Sequence, residues 1–115
     1  VTVGSGGAFP SGTADLTAEA QRIMDRIALT AMSPDSSITV TGHTDDVPIS
    51  NGQFRDNWDL GAGRAASVVQ AIQNTGLISG DRLSAVSKGE MAPLADNNTA
   101  AGREQNRRIE IEISY

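Results

Sequence analysis

The last nine residues, from Arg107 to Tyr115, contain the pattern that most restricts the fold of this chain. Isoleucine stands at Ile109, Ile111 and Ile113, with glutamates between them. Because side chains alternate between the two faces of a strand, this spacing predicts a strand with one apolar and one polar face. By the same period Arg107 shares the isoleucine face, near a sheet end. A sheet with one face in the core and the other in water is therefore expected.

The rest of the chain predicts helices and further strands in alternation. Strands are expected weakly at Val1 to Val3, then at Ile38 to His43 and at Arg82 to Ser87. Apolar stripes predict one helix from a cap at Thr13 to Ala31, a second from a cap at Asn57 to Gly76 with Trp58 toward the core, and a short one near Thr99 to Gln105. This order predicts one domain over residues 1–115, an α/β (α+β) two-layer sandwich with helices packed on one face of a mixed sheet.

Composition excludes several classes of function. A net charge of -5 and a pI near 4.6 argue against nucleic acid or an anionic membrane as the main partner. Without cysteine there is no disulfide or thiol nucleophile, and the single His43 excludes a multi-histidine metal site. We expect no metal and no cofactor. Since the sequence starts at Val1 and enters a strand directly, we expect a piece of a longer protein.

Two acids, Asp45 and Asp46, follow the strand that ends at His43, and their role is open from the residues alone. Binding of a charged ligand and an ordinary turn or cap role are about equally supported for Asp45. A hydrolase that uses both acids is disfavoured, because adjacent side chains tend to point apart and cannot easily flank one bond. His43 has no partner spaced for a triad and is expected to be structural. Arg64 has an ordinary alternative as an i, i+4 surface partner.

The run GHTDD from Gly42, the segment NWDLGAGRAASVV from Asn57 and the ending REQNRRIEIEI resemble the OmpA-like peptidoglycan-binding domain. The resemblance extends over nearly the whole chain and implies an OmpA-C-like fold. Within the family, VPIS after GHTDD and NGQFRDNW before the second helix are most similar to the periplasmic domain of flagellar stator B subunits, MotB and PomB.

The resemblance implies a site for the diaminopimelate side chain of the peptidoglycan stem peptide, which ends in an ammonium and a carboxylate. The family's acid corresponds to Asp45 and its helix arginine to Arg64, and an arginine fork suits bidentate contact with a carboxylate. Thr44 is expected to contribute backbone contacts, Asn57 an amide and Arg107 a second cation. The family also uses the loop that here contains Ser11-Gly12.

The implied function is a non-catalytic anchor that ties a flagellar stator to the cell wall in the periplasm. Its implied partners are peptidoglycan, a stator A subunit through a transmembrane segment outside this chain, and a second copy in the full-length protein. A generic outer-membrane protein or lipoprotein anchor of the OmpA/Pal type is the alternative. One departure is Gly61 and Gly63, where the family usually reads L-S-x-x-R-A. Either the helix approaches another backbone closely, or its first turn is loose.

Overall fold

The computed structural model describes residues 1–115, and its four strands form one mixed sheet. The strands are β1 (Thr2–Gly4), β2 (Ser37–His43), β3 (Leu83–Gly89) and β4 (Arg108–Ser114). Their order in the sheet is β1-β4-β2-β3. Strand β4 is antiparallel to both of its neighbours, whereas β2 and β3 are parallel. The predicted α+β sandwich with a mixed sheet is confirmed.

Four helices accompany the sheet: α1 (Ser5–Ala8), α2 (Ala18–Thr30), α3 (Asn57–Asn74) and α4 (Ala100–Asn106), with a 3-10 turn at Gly80–Arg82. The one-turn helix α1 was not predicted. As expected, Gly76 follows α3 with a positive φ of 76°. None of the helices combines the length and apolar character needed to cross a bilayer.

The predicted cap of α2 was wrong by four residues and that of α3 by one residue. The cap of α2 is Thr17, whose hydroxyl accepts from the Ala20 N–H at 3.2 Å, while the Thr13 hydroxyl donates to the Pro10 carbonyl. The cap of α3 is Asp56, which accepts from the Asp59 N–H at 2.9 Å. Asn57 is therefore already helical, and its side chain is free to contact the preceding loop.

The core lies between the sheet and the pair α2 and α3. The apolar faces of β2 and β4 supply Ile38, Val40, Ile109 and Ile111 to it. From the helices come Met24, Ile27, Ala28, Ala65, Val68 and Ile72, all buried. Trp58 is not among these residues. Contrary to the sequence prediction, its side chain is 46% exposed.

The face of the sheet opposite the helices is only partly in water. Arg107, the C-cap residue of α4, directly precedes β4, and its side chain lines the same cavity as Leu60 and Arg64 of α3, on the side of the sheet that the isoleucines face. Arg108 lies on the far face and is buried. Its Nη2 donates to the carbonyl of Ala92, in the loop that follows β3. Its Nε binds Glu110 at 2.7 Å.

Helix α3 approaches β2 through a contact between two glycines, Gly42 and Gly61. A Cβ at Gly42 would lie 2.1 Å from the Gly61 carbonyl oxygen, and a Cβ at Gly61 would lie 3.1 Å from the Gly42 oxygen. The glycine in the helix is thus explained by close backbone approach. This contact sets the height of α3, and hence of Arg64, above the end of β2.

Candidate functional site

A cavity of about 490 Å³ lies beyond the carboxyl end of β2, beside the first turns of α3. Four of the five predicted site residues line it: Asp45, Asn57, Arg64 and Arg107. This is the place where ligands commonly bind in such sheets, next to strand ends and a helix N-terminus. The other lining residues come from α1, from the loops after α1 and β2, and from α3: Ser5, Gly6, Phe9, Ser11, Gly12, Val47, Pro48, Ile49 and Leu60.

Asp45 is the acid of the cavity and is held by two hydrogen bonds. Its Oδ1 accepts from the Val47 N–H at 3.1 Å, which closes a turn directly after the strand. Its Oδ2 accepts from Nη1 of Arg107 at 2.6 Å, in an ion pair whose carboxylate side is 10% exposed and whose arginine side is 39% exposed. The carboxylate is therefore already oriented toward a cation at the cavity.

Arg64 projects from α3 into the same cavity and is only 5% exposed. Its Nε donates to the Thr13 carbonyl at 2.8 Å, Nη2 lies 3.5 Å from the Pro10 carbonyl, and the guanidinium stands 4.9 Å from the centroid of the Phe9 ring. No carboxylate lies within ion-pair distance of it.

The pKa of Arg64 is lowered by burial first and then by the charge of Arg107, while Asp45 acts in the opposite direction. Burial of a cation costs free energy unless an anion or several acceptors surround it. Arg64 has carbonyls on one edge and an aromatic face, but no countercharge of its own. The cavity therefore contains two guanidinium groups but only one carboxylate, that of Asp45, which is paired with Arg107, and it has a surplus of positive charge.

Asn57 joins the loop after β2 to the loop after β3. Its Nδ2 donates to the carbonyls of Asp45 and Val47, at 3.2 and 3.1 Å, and lies 3.5 Å from a Glu90 carboxylate oxygen. Since Asn57 is fixed by the first turn of α3, these bonds fix the backbone on both sides of Asp46. The residue therefore lines the cavity and also shapes it.

Thr44 does not line the cavity. Its N–H donates to the Gly89 carbonyl at 2.8 Å and its hydroxyl to the Asp45 carbonyl at 2.8 Å. Because that N–H is already used within the sheet, the backbone contact expected of Thr44 toward a ligand is not available at this atom. The geometry favours a positioning role for Thr44, which connects the backbone of Asp45 to the end of β3 through these two hydrogen bonds.

Sequence reasoning missed the apolar part of the site. Phe9 is 2% exposed and lies under the guanidinium of Arg64, and Val47, Pro48 and Ile49 form another part of the wall. The pair Phe9-Pro10 in a glycine-rich segment was the available signal, but nothing in the sequence joined that segment to Arg64. The cavity thus has an apolar wall beside its charged groups, as small-ligand sites commonly do.

His43 lies outside the cavity, on the far face of the sheet. Its Nε2 is 3.5 Å from Glu110, and burial, followed by the charge of Arg108, lowers its pKa. Glu110 itself has a lowered pKa, chiefly through its hydrogen bond with Arg108. The structure brings together no group of three or more His, Asp or Glu side chains that could hold a metal ion.

The fold and the cavity define an α+β binding domain with a charged pocket at one end of its sheet. The chain belongs to the OmpA family, whose model matches residues 8–107. It is 36% identical over 106 residues to Motility protein B of Bacillus subtilis. The aligned region covers 91% of this chain and 41% of the length of that protein. The chain thus spans less than half of that relative.

Solved structures show the same fold. The cell wall anchor of the T6SS from Pseudomonas aeruginosa is similar with a TM-score of 0.89 and 32% identity, over 99% of this chain and 78% of that one. The periplasmic domain of Helicobacter pylori MotB is similar with a TM-score of 0.87 and 28% identity, over 98% and 73% of the two chains.

Proposed function

We propose that this chain is a non-catalytic peptidoglycan-binding domain that holds the diaminopimelate side chain of a stem peptide between Asp45 and Arg64. The observation that carries the proposal is the buried guanidinium of Arg64, which has no carboxylate partner and lies in the same cavity as the acid Asp45. A ligand that brings one carboxylate and one ammonium on a single carbon satisfies both groups.

The ligand's carboxylate neutralises the surplus positive charge of the cavity. Arg64 offers its free Nη1 edge, and each charge-assisted hydrogen bond of this kind is worth about 1.5–3 kcal/mol. The ammonium then competes with Arg107 for Oδ2 of Asp45, and Arg107, which is more exposed, moves toward the incoming carboxylate. Binding is thus an exchange of ion pairs in which no buried charge is left alone.

A hydrolase is the less favoured alternative. Asp46 is exposed on the turn, whereas Asp45 is occupied by the Val47 N–H and Arg107, so the two acids do not face one another across a cavity. Glycoside hydrolysis needs two carboxyl groups on opposite sides of one bond. The geometry therefore favours binding without cleavage.

We assign the domain to the anchor of a flagellar stator of the MotB type, in the periplasm. The similarity to Motility protein B and to the MotB periplasmic domain supports this assignment. A stator A subunit and a second copy of the chain are the further partners proposed for the full-length protein. A wall anchor without a motor, of the OmpA/Pal type, is the second candidate, and it is favoured by the similarity to the T6SS anchor.

Co-sedimentation with insoluble peptidoglycan tests the site. We expect the parent chain to sediment with the wall polymer, and Arg64→Ala to lose about tenfold or more in affinity, since one or two charge-assisted hydrogen bonds disappear. Asp45→Asn is expected to weaken binding similarly. The matched control is Arg26→Ala, which removes an exposed arginine of α2 outside the cavity.

The same samples are assayed for released sugar, and circular dichroism checks that each variant is folded. Equal sedimentation of Arg64→Ala and Arg26→Ala would refute the site. Released sugar from the parent would refute the non-catalytic assignment.

A further inference from the structure

Trp58 is the only tryptophan of a chain with four aromatic residues, and it is not used in the core. It is the second residue of α3, and 46% of its side chain is exposed to water. A large indole surface left in water next to a binding cavity is a candidate contact for something outside the chain.

Trp58 packs against the end of β3. The hydroxyl of Ser87 donates to the Trp58 carbonyl at 2.8 Å. The indole packs on Gly89, where an added Cβ would lie 3.3 Å from Cδ2 of the ring, and Gly89 has a positive φ of 52°. The contact with Gly89 restricts the indole on one side, which lowers the entropy cost of ordering it in a complex.

Trp58 follows directly after a residue that lines the cavity. The preceding residue, Asn57, lines the cavity and donates to the Val47 carbonyl and toward Glu90. Glu90 directly follows the glycine on which the indole packs, and Val47 is itself 52% exposed. A ligand seated at Asp45 and Arg64 that extends over Asn57 would meet the indole next.

We propose that Trp58 is a stacking site for a sugar ring of the glycan strand, an inference that rests on the proposed function. The C–H groups on one side of a pyranose ring carry partial positive charge and suit the negative face of an indole. Lys88 and Glu90 flank Gly89, the residue on which the indole packs, and would supply charged partners for hydroxyl and acetamide groups. Because the stem peptide is attached to the glycan, peptide bound in the cavity brings sugar to this rim.

A protein partner fits this surface less well. Stable protein interfaces bury about 1,200–2,000 Å² in total with an apolar centre. Here the neighbours along the chain are charged: Lys88 and Glu90 flank Gly89, on which the indole packs, and Asp56 and Asp59 lie within two residues of Trp58. One aromatic ring with charged neighbours suits one sugar ring.

Three probes separate the sugar contact from the peptide contact: a disaccharide carrying a diaminopimelate tripeptide, the free tripeptide, and a glycan oligosaccharide without peptide. Calorimetry compares the parent with Trp58→Ala, Trp58→Tyr and the control Tyr115→Ala. Tyr115 is 73% exposed and follows Ser114, which pairs with Ser37 at the opposite end of β2. Since Trp58 is the sole tryptophan, emission of the parent reports this surface directly.

We expect Trp58→Ala to weaken binding of the disaccharide-tripeptide about three- to tenfold, with free tripeptide and the Tyr115 variant unchanged. Trp58→Tyr should recover most of the loss, and the peptide-free glycan should shift the tryptophan emission.

Equal affinity of Trp58→Ala and parent for the disaccharide-tripeptide would overturn the proposal while leaving the peptide site intact. An emission shift with glycan, but no binding of free tripeptide by the parent, would support the sugar contact and refute the diaminopimelate site. Emission that depends on protein concentration alone would assign the indole to a second copy of the chain and overturn the sugar contact.

Discussion

Adding one methyl group at Gly42 should destabilise the domain clearly more than the same addition at Gly61, across the same contact. The new Cβ at Gly42 would lie 2.1 Å from the Gly61 carbonyl oxygen and 2.8 Å from its carbon. Both are backbone atoms, so α3 has to move away from β2 by roughly 1 Å. Overpacking of this kind costs typically 1–3 kcal/mol, and we expect about 3 kcal/mol for Gly42→Ala.

At Gly61 the new Cβ would lie 2.5 Å from the Ser87 hydroxyl and 3.1 Å from the Gly42 carbonyl oxygen, so the backbone has to give by only a few tenths of an ångström. The Ser87 side chain can rotate, which loses its hydrogen bond to the Trp58 carbonyl and costs about 1 kcal/mol. Replacing a helical glycine by alanine returns about 1 kcal/mol. Urea unfolding of both variants measures the difference. Equal losses in the two variants, or a larger loss for Gly61→Ala, would refute this reading of the contact.

Two further predictions concern charges near the site. Arg107→Gln should lower the free energy of unfolding by about 1 kcal/mol, since its ion pair is half exposed, and should weaken wall binding less than Arg64→Ala, because Asp45 already balances Arg107. Urea unfolding and co-sedimentation measure these effects, and a weaker wall affinity for Arg107→Gln than for Arg64→Ala would contradict them. The lowered pKa of His43 means that the unfolded chain takes up a proton first as the pH falls below 6.5. The free energy of unfolding should therefore be highest above pH 6.5 and decline below it, and His43→Gln should remove this part of the decline. A parent that is equally stable at pH 7.5 and pH 5.5 would contradict the burial of a neutral His43.

A helix or strand could be predicted where the spacing of apolar residues within that element alone shows its period. The isoleucines of β4, the alternation of β2 and the apolar stripes of α2 and α3 depend only on local spacing. The caps were displaced, because Thr13 and Asn57 have the right side chains but other partners. Trp58 was assigned to the core because its apolar character is visible in the sequence. Its contact with Gly89 at the end of β3 is a tertiary contact that the sequence does not show.

The site could be predicted only in part for a related reason. Asp45 and Arg64 followed from the family resemblance, and the structure brings them to one cavity. The ion pair between Asp45 and Arg107 joins residues 62 positions apart, and the burial of Arg108 depends on the loop at Ala92. Such contacts arise from the packing of loops, whose sequences have no periodic apolar pattern from which a contact could be predicted.

The most direct test of the central claim is a calorimetric comparison of two free stem tripeptides, one with diaminopimelate and one with lysine at the third position. The two differ by a single carboxylate, the group assigned to Arg64. The parent chain should bind the diaminopimelate peptide about tenfold or more tightly than the lysine peptide, and Arg64→Ala should lose the preference. Equal affinities in the parent, or a preference that survives in Arg64→Ala, would contradict recognition of the carboxylate by Arg64.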